Sequence, residues 1–316
     1  MRYPPEPRRP KTHPPLVYLE PASLRCVMVG WVGRSVVAAG VAWLAAFLSP
    51  PALACDLPAP ETGTVFSVLD GETLKLSDGR TVKLIGAKAP MPPLGWRGDD
   101  PWPFVDQAKE ALVSLASNKT IELRFGGSRT DRHGHLLAQV FVVDGESRLW
   151  LQDELIGRGL ARVYSLPDNR ACVAELLKRE DGARAKRLGL WASSAYRIEN
   201  ALDVKRLGRL IHSYQLVEGT VLDVGEGSGR LYLNFAPDWR SDFTVGVARK
   251  DAPAFAAAGL DVKALAGTRL RVRGWLAWRN GPMIEATHPE QIELLPQEGG
   301  EGAKPPLPRT GPSIGL

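Results

Sequence analysis

The sequence predicts a mainly β protein with helices (α+β): a small β-barrel carrying three helices, followed by a second, five-stranded β-barrel. Two observations carry this. Short apolar runs with a period of two are punctuated by Asp-Gly and Asn-Gly turns, the residues that tolerate the backbone of tight hairpins. Between some of them lie segments whose apolar residues recur at helical spacing. At 316 residues the chain is long enough for two cores.

The first elements form a meander. Thr64–Leu69 reads as a strand, Asp70-Gly71 as a turn, Thr73–Leu76 as a strand, Ser77-Asp78-Gly79 as a turn and Thr81–Ile85 as a third strand. Pro90–Pro103 is too proline-dense for regular structure. Phe104–Ala116 places Val105, Ala108, Leu112 and Leu115 on one helical face. Strands over Thr120–Phe125 and Leu136–Val143 follow, then helices near Leu149–Arg158 and Ala171–Leu188. Asp168 or Asn169 suits the N-cap of the last helix and Gly189 its end. This first domain spans residues 55–192.

Residues 193–213 read as a connector with a short basic helix. The second β-rich unit covers 214–295, with strands at Gln215–Val224, Arg230–Phe235, Phe243–Ala248, Thr268–Trp278 and Met283–Leu295. A helical stretch, Ala252–Leu265, sits between the third and fourth strands, and Arg279-Asn280-Gly281 is a hairpin turn. Five strands with a helix in that place resemble an oligonucleotide-binding (OB) barrel. Residues 296–316, rich in Pro and Gly, have little to bury and read as a disordered tail.

The leader reads as an export signal. Arg34 precedes an apolar run from Ser35 to Leu48, shorter than a membrane span, and Ala52-Leu53-Ala54 supplies the small-x-small pattern of a cleavage site. Met28 opens a compact alternative start, which makes residues 1–27 a candidate mis-assigned extension. The predicted compartment is therefore outside the cytoplasm, the periplasm in a bacterium. The net charge of +5 sits mostly in this leader: six Lys/Arg and two acids lie in residues 1–54, leaving 34 basic and 33 acidic residues beyond. Bulk charge thus gives no support to nucleic-acid binding. Removing the leader leaves two cysteines, Cys55 and Cys172, which in an oxidising compartment suggest one disulfide. Cys55 directly after the cleavage pattern also resembles a lipidation site, which would anchor the chain to a membrane. The two uses of Cys55 exclude each other, and the disulfide is the favoured one.

Several motifs in register carry a family resemblance. Asp70-Gly71-Glu72-Thr73-Leu74-Lys75-Leu76, Val82 to Pro90 and Thr130-Asp131-Arg132-His133-Gly134-His135 resemble the thermonuclease (staphylococcal-nuclease-type) family. So do a helix opening Leu151-Gln152, the segment Gly157 to Ala161 and the closing Gly189-Leu190-Trp191. The likeness covers about residues 62–192. It implies a nuclease barrel in which carboxylates hold Ca²⁺, a glutamate activates water and two arginines clamp the phosphate. At those positions this chain carries Glu72 and Lys88 for two metal ligands, Ala89 for a threonine, Met91 for the glutamate, and Lys83 and His135 for the arginines. Asp131 matches the family and reads as a turn-supporting residue. An ammonium group in a calcium site and a thioether in place of a base do not suit that chemistry. No cofactor is therefore expected, although the resemblance implies calcium.

Three readings of the site stand open. Lys83, Lys88 and His135 form a phosphate-binding pocket that holds nucleic acid or another polyanion without cutting it. Asp99 and Asp100, with Glu72, rebuild a metal site and the protein is a phosphodiesterase. Or the barrel is a structural or protein-binding scaffold. His133 and His135, two apart, are a weak metal pair, better read as turn histidines. In the second unit, Arg269, Arg271 and Arg273 share one strand face, and with Tyr232 they form a candidate nucleic-acid surface; Arg230, Trp239 and Arg240 are possible additions. The competing reading of that basic face is a solvated one.

Overall fold

The computed structural model describes residues 55, 57, 60–93, 96–98, 101–238 and 240–297. The leader and the tail from 298 lie outside the described residues, as do Asp99, Asp100 and Trp239. The described residues all fall within one compact unit.

The first barrel is built from β1 (Glu61–Asp70), β2 (Thr73–Leu76), β3 (Thr81–Leu84), β5 (Thr120–Arg124) and β6 (Leu136–Asp144), with β4 (Gly86–Lys88) beyond β3. Neighbours run β3-β2-β1-β5-β6, and a parallel β3–β6 pairing closes the ring. β7 (Ser147–Trp150) extends β6 as a hairpin. Gly71 permits the first turn to nest against the helix: a Cβ there would stand 2.8 Å from that of Ala89 and 2.9 Å from that of Ala108. The helices are α1 (Val105–Ala116), α2 (Leu151–Gly157) and α3 (Val173–Ala185), and β8 (Arg162–Tyr164) pairs with β4. Their apolar faces, including Leu112, Leu155 and Leu176, close the core over Val65, Leu74, Ile121 and Val140. Cys172 rather than Asp168 or Asn169 stands at the N-cap of α3. Both expected caps are used elsewhere: Asp168 binds the Ser128 hydroxyl, and the Asn169 side chain donates to the Ser128 carbonyl at 3.0 Å.

Cys55 and Cys172 form a disulfide across a separation of 117 residues. This is the pairing that the two remaining cysteines suggest.

Residues 193–213 carry the expected short basic helix and also a short strand. β9 (Glu199–Asn200) adds in parallel to the second sheet, and α4 (Val204–Arg209) is capped by the Asp203 side chain. The second sheet holds β10 (Tyr214–Thr220), β11 (Asp223–Gly227), β12 (Arg230–Asn234), β13 (Thr244–Ala248), β14 (Arg269–Trp278), β15 (Pro282–Ala286) and β16 (Ile292–Leu294), with α5 (Ala252–Ala257) between β13 and β14. Its order is β11-β12-β13-β15-β14-β10-β9, with β16 against β14 and β13 parallel to β15. This is an OB-like half-barrel whose first strand is split into β10 and β11. Phe243, Phe255, Val245 and Leu270 form its separate core.

The strand β14 corrects the expected basic surface. Arg271 and Arg273 are buried, and each is held by carboxylates. Arg271 bonds Glu218 and Glu293, and Arg273 bonds Glu180 of α3 at 2.8 Å as well as Glu293. Arg269 bonds Glu218 at 3.1 Å. The face that alternation assigned to solvent is covered by α3 and β16, so it offers no guanidinium row to a nucleic acid. Tyr232 lies elsewhere, on β12, where it lines a cavity of about 520 Å³ with Asn234 and Arg279.

Candidate functional site

The site lies at the rim of the first barrel, where β3, β4 and the loop before β6 converge. Glu72 opens β2. Its carboxylate accepts from the Lys88 ammonium at 2.6 Å and from the Ala89 amide at 2.7 Å. The backbone reinforces this placement, since the Leu84 amide donates to the Glu72 carbonyl at 2.9 Å. Lys88 and Glu72 are both largely screened from water, with side chains 13% and 19% exposed, so the ion pair acts through a reduced dielectric. Lys88 thus projects its charge into the space between Glu72 and the barrel rim.

Asp131 organises the second half. It lies in the turn closed by Gly134, and one carboxylate oxygen accepts from the amides of His133 at 2.8 Å and His135 at 3.0 Å. The other oxygen meets Lys83 Nζ at 3.1 Å and His135 Nδ1 at 3.0 Å. Burial pushes this carboxyl upward, but the two amides, Lys83 and His135 outweigh it and hold Asp131 well below the usual carboxylate range. Asp131 therefore supports the turn as its motif implies, and it also fixes two of the three candidate phosphate-binding side chains, Lys83 and His135. The His133 and His135 rings are tilted at 38° to each other with centroids 5.9 Å apart, and the site provides them no third ligand: no cluster of three His, Cys, Asp or Glu residues with metal-binding geometry occurs among the described residues.

Glu72, Lys83, Lys88 and Asp131 line a cleft of about 230 Å³ whose far wall is Tyr164 of β8 and Trp275 of β14. The pocket is therefore composite: the second sheet supplies an indole that the first barrel lacks. Burial raises the Tyr164 hydroxyl above its ordinary range. Met91 does not point at Glu72; it is half exposed, at 49%, and lines an adjoining cavity of about 310 Å³ together with Lys88, Arg162 and Trp275. Of the predicted residues, the structure brings Glu72, Lys83, Lys88 and His135 together around Asp131. It leaves Met91 to one side and the β14 arginines buried. Arg162, Tyr164 and Trp275 escape sequence reasoning; they come from β8 and β14, far apart in the chain, and only the packing of the two sheets brings them to the rim.

A five-stranded closed barrel with three packed helices, and a rim site on the β1–β2 turn and the β3–β4 strands, define a nuclease-type OB barrel as the class. Residues 81–193 match the family model described as staphylococcal nuclease homologue. Two plant proteins are similar over 92 residues. One, described as an uncharacterised 38.1 kDa protein of Capnoides sempervirens, is 35% identical, the match covering 29% of this chain and 25% of that protein. The other, staphylococcal-like nuclease CAN1 of Arabidopsis thaliana, is 33% identical, over 29% of this chain and 26% of that protein. The similarity spans about a quarter of each relative. Residues 81–193 thus form a staphylococcal-nuclease-type domain, carried with a second β-sheet unit in one chain.

Proposed function

We propose that the nuclease-type domain binds single-stranded nucleic acid or a similar phosphorylated polymer at the Lys83–Lys88 cleft, and does not cut it with calcium. The observation that carries this is the Lys88 ammonium 2.6 Å from Glu72. A divalent cation placed on Glu72 meets a fixed positive charge within contact distance, an unfavourable arrangement at low effective dielectric. Glu72 also spends its second oxygen on the Ala89 amide. The residues present therefore do not fit calcium. Met91 has no proton to accept or give.

Binding is supported by the family match, by a relative named as a staphylococcal-like nuclease, and by the chemistry of the cleft. Lys83, 38% exposed, presents an ammonium to a phosphate, and Trp275, 43% exposed, presents a ring face to a base. Each lysine already has a carboxylate partner, so affinity is modest and salt-sensitive. That same pairing favours a second reading, a scaffold with no polyanion ligand. Export to an oxidising compartment belongs to this proposal and agrees with the Cys55–Cys172 disulfide.

Labelled single- and double-stranded DNA and RNA, with Ca²⁺, Mg²⁺ or chelator, separate the readings. Salt-sensitive binding without cleavage is the expected result. Chelator-sensitive scission would overturn it in favour of an enzyme, and neither binding nor scission would leave the scaffold. The triple variant Lys88→Asp, Met91→Glu, His135→Arg is expected to gain calcium-dependent thermal protection that the parent lacks.

A further inference from the structure

The cavity beside the cleft holds a guanidinium that the protein itself leaves without an acceptor. Arg162 lies on β8, directly opposite Lys88 on β4 in the antiparallel register. It is 8% exposed. Its guanidinium lies over two tyrosine rings, 5.3 Å from the Tyr196 centroid and 5.1 Å from the Tyr214 centroid. A ring face accepts no conventional N–H hydrogen bond, so these contacts leave its donors available. Among the described residues none accepts a hydrogen bond from the Arg162 guanidinium, and it forms no ion pair. Glu180 is the carboxylate whose charge it feels, but Glu180 is taken by Arg273 at 2.8 Å and by the Val163 amide at 2.7 Å.

The neighbouring charges do not compensate it. Lys88 is matched by Glu72, which leaves Arg162 as an unmatched cation lining a cavity of about 310 Å³. Burial accordingly lowers its proton affinity below the ordinary arginine range, with Glu180 and the tyrosines acting against that. A buried charge without a partner is costly, and the cost is removed when an anion arrives. The tyrosines beside it are themselves anchored: Tyr214 donates to the Val163 carbonyl at 2.7 Å, and Tyr196 accepts from Trp102 at 2.6 Å and donates to the Pro103 carbonyl at 3.0 Å. The guanidinium is thus pre-positioned, and Trp102 and Trp275 stand on the walls.

We infer that this cavity is a binding site for a phosphate monoester carried on a planar ring, of mononucleotide size, with Arg162 taking the phosphate and the indoles the ring. The planar fork matches a tetrahedral oxyanion bidentately, which an ammonium does not. Aromatic walls select a ring over a bare ion. The site does not depend on strand binding over Lys83: an anion answers Arg162 whether or not the outer cleft is filled. The shared chemistry is found both in a free nucleotide and in the phosphorylated end of a strand.

Thermal unfolding of the full chain is measured with inorganic phosphate, AMP, adenosine, and 5′-phosphorylated and 5′-hydroxyl oligomers of one sequence, all at matched ionic strength. AMP is expected to raise Tm, phosphate to raise it less and adenosine not at all. A response to the 5′-phosphorylated oligomer over its hydroxyl counterpart assigns the strand end as a source; a response to AMP alone assigns the free nucleotide. Arg162→Met is expected to weaken AMP binding about 10- to 100-fold, the loss of charged hydrogen bonds. Its Tm without ligand should equal or exceed that of the parent, because an unmatched charge has gone. Quenching of tryptophan fluorescence by AMP in the unaltered protein supplies a second readout that needs no variant. No Tm rise and no quenching with AMP, or an equal AMP response in Arg162→Met, would overturn the assignment. Oligomer binding by anisotropy, followed in the same variant, tests the outer cleft separately.

Discussion

Asp131 does more for the rim than any other side chain in it, because four donors from three residues converge on its two oxygens. The amides of His133 and His135 fix the turn, and Lys83 and the His135 ring are drawn to the other oxygen. The consequence is a pH dependence of defined sign. The carboxyl titrates lower in the folded protein than in the unfolded chain, where it has the ordinary value of about 3.9. Its stabilisation is therefore complete above that value and is lost as pH falls below it. Asp131→Asn keeps the shape but not the charge. It is expected to lower stability at pH 7 by about 1–3 kcal/mol, since hydrogen bonds to a charged group are lost. Urea midpoints at pH 7 and pH 3 check this: the difference between parent and variant should shrink at the lower pH. An unchanged difference would mean that the carboxylate charge does not support the turn.

The strand β14 shows where the sequence is legible and where it is not. Its existence follows from its apolar alternation and the Asn-Gly turn after it, and the observed Arg269–Trp278 lies within the expected 268–278. The meander β1–β3 is readable for the same reason, as is α1 at Val105–Ala116. What alternation does not reveal is which face another element covers. A strand alternating Arg with Leu and Val reads as half solvated, yet α3 and β16 close over the arginines, because Glu180 and Glu293 come from 93 and 20 residues away in the chain. The rim is half legible: motifs in register name Glu72, Lys83, Lys88 and His135, whereas Trp275 belongs to a separate sheet. Gln152 is visible only as a letter in a motif, although its amide ties β6 to the β3–β4 turn through Val140, Ala138 and Ile85. The buried pair carries its own prediction. Arg273 and Glu180 are 1% and 0% exposed. Glu180→Gln is expected to cost about 1–3 kcal/mol, because the guanidinium loses one carboxylate and keeps Glu293, whereas Glu180→Leu with Arg273→Met should cost less than the two single changes together. A double-mutant cycle by urea denaturation reads the coupling, and additive costs would show that the pair contributes no coupling.

The first barrel and the second sheet are joined by polar contacts, several of them buried, which makes their union sensitive to protonation. Besides Arg273–Glu180, Tyr214 reaches the Val163 carbonyl, Arg170 grips Glu290 with bonds of 2.8 to 3.0 Å, and His288 meets Ser165 at 2.6 Å. His288 is 2% exposed, and its other ring nitrogen lies 3.0 Å from the Thr287 hydroxyl. Burial lowers its pKa to about 4; Glu290 pulls it upward and Arg170 downward. The folded protein therefore keeps this ring neutral while the unfolded chain takes up a proton from about pH 6.5 downward. A group with a depressed folded pKa stabilises above its unfolded value, and that contribution is lost progressively as pH falls from about 6.5 to 4. The size is on the order of 2–3 kcal/mol, because each tenfold difference in proton affinity between the folded and unfolded chain is worth about 1.36 kcal/mol. The window lies above that of Asp131, which begins to act only below about pH 4, so the two are separable in one titration. Stability measured from pH 7.5 to 4.5 should fall in the parent and fall much less in His288→Gln, which presents an amide to Ser165 but binds no proton in this range. The disulfide, confined to the first unit, should leave the difference between the two proteins unchanged under oxidising conditions. Parallel curves for parent and His288→Gln would show that the junction does not sense acid through this ring, and would direct attention to Glu290 and Arg170 beside it.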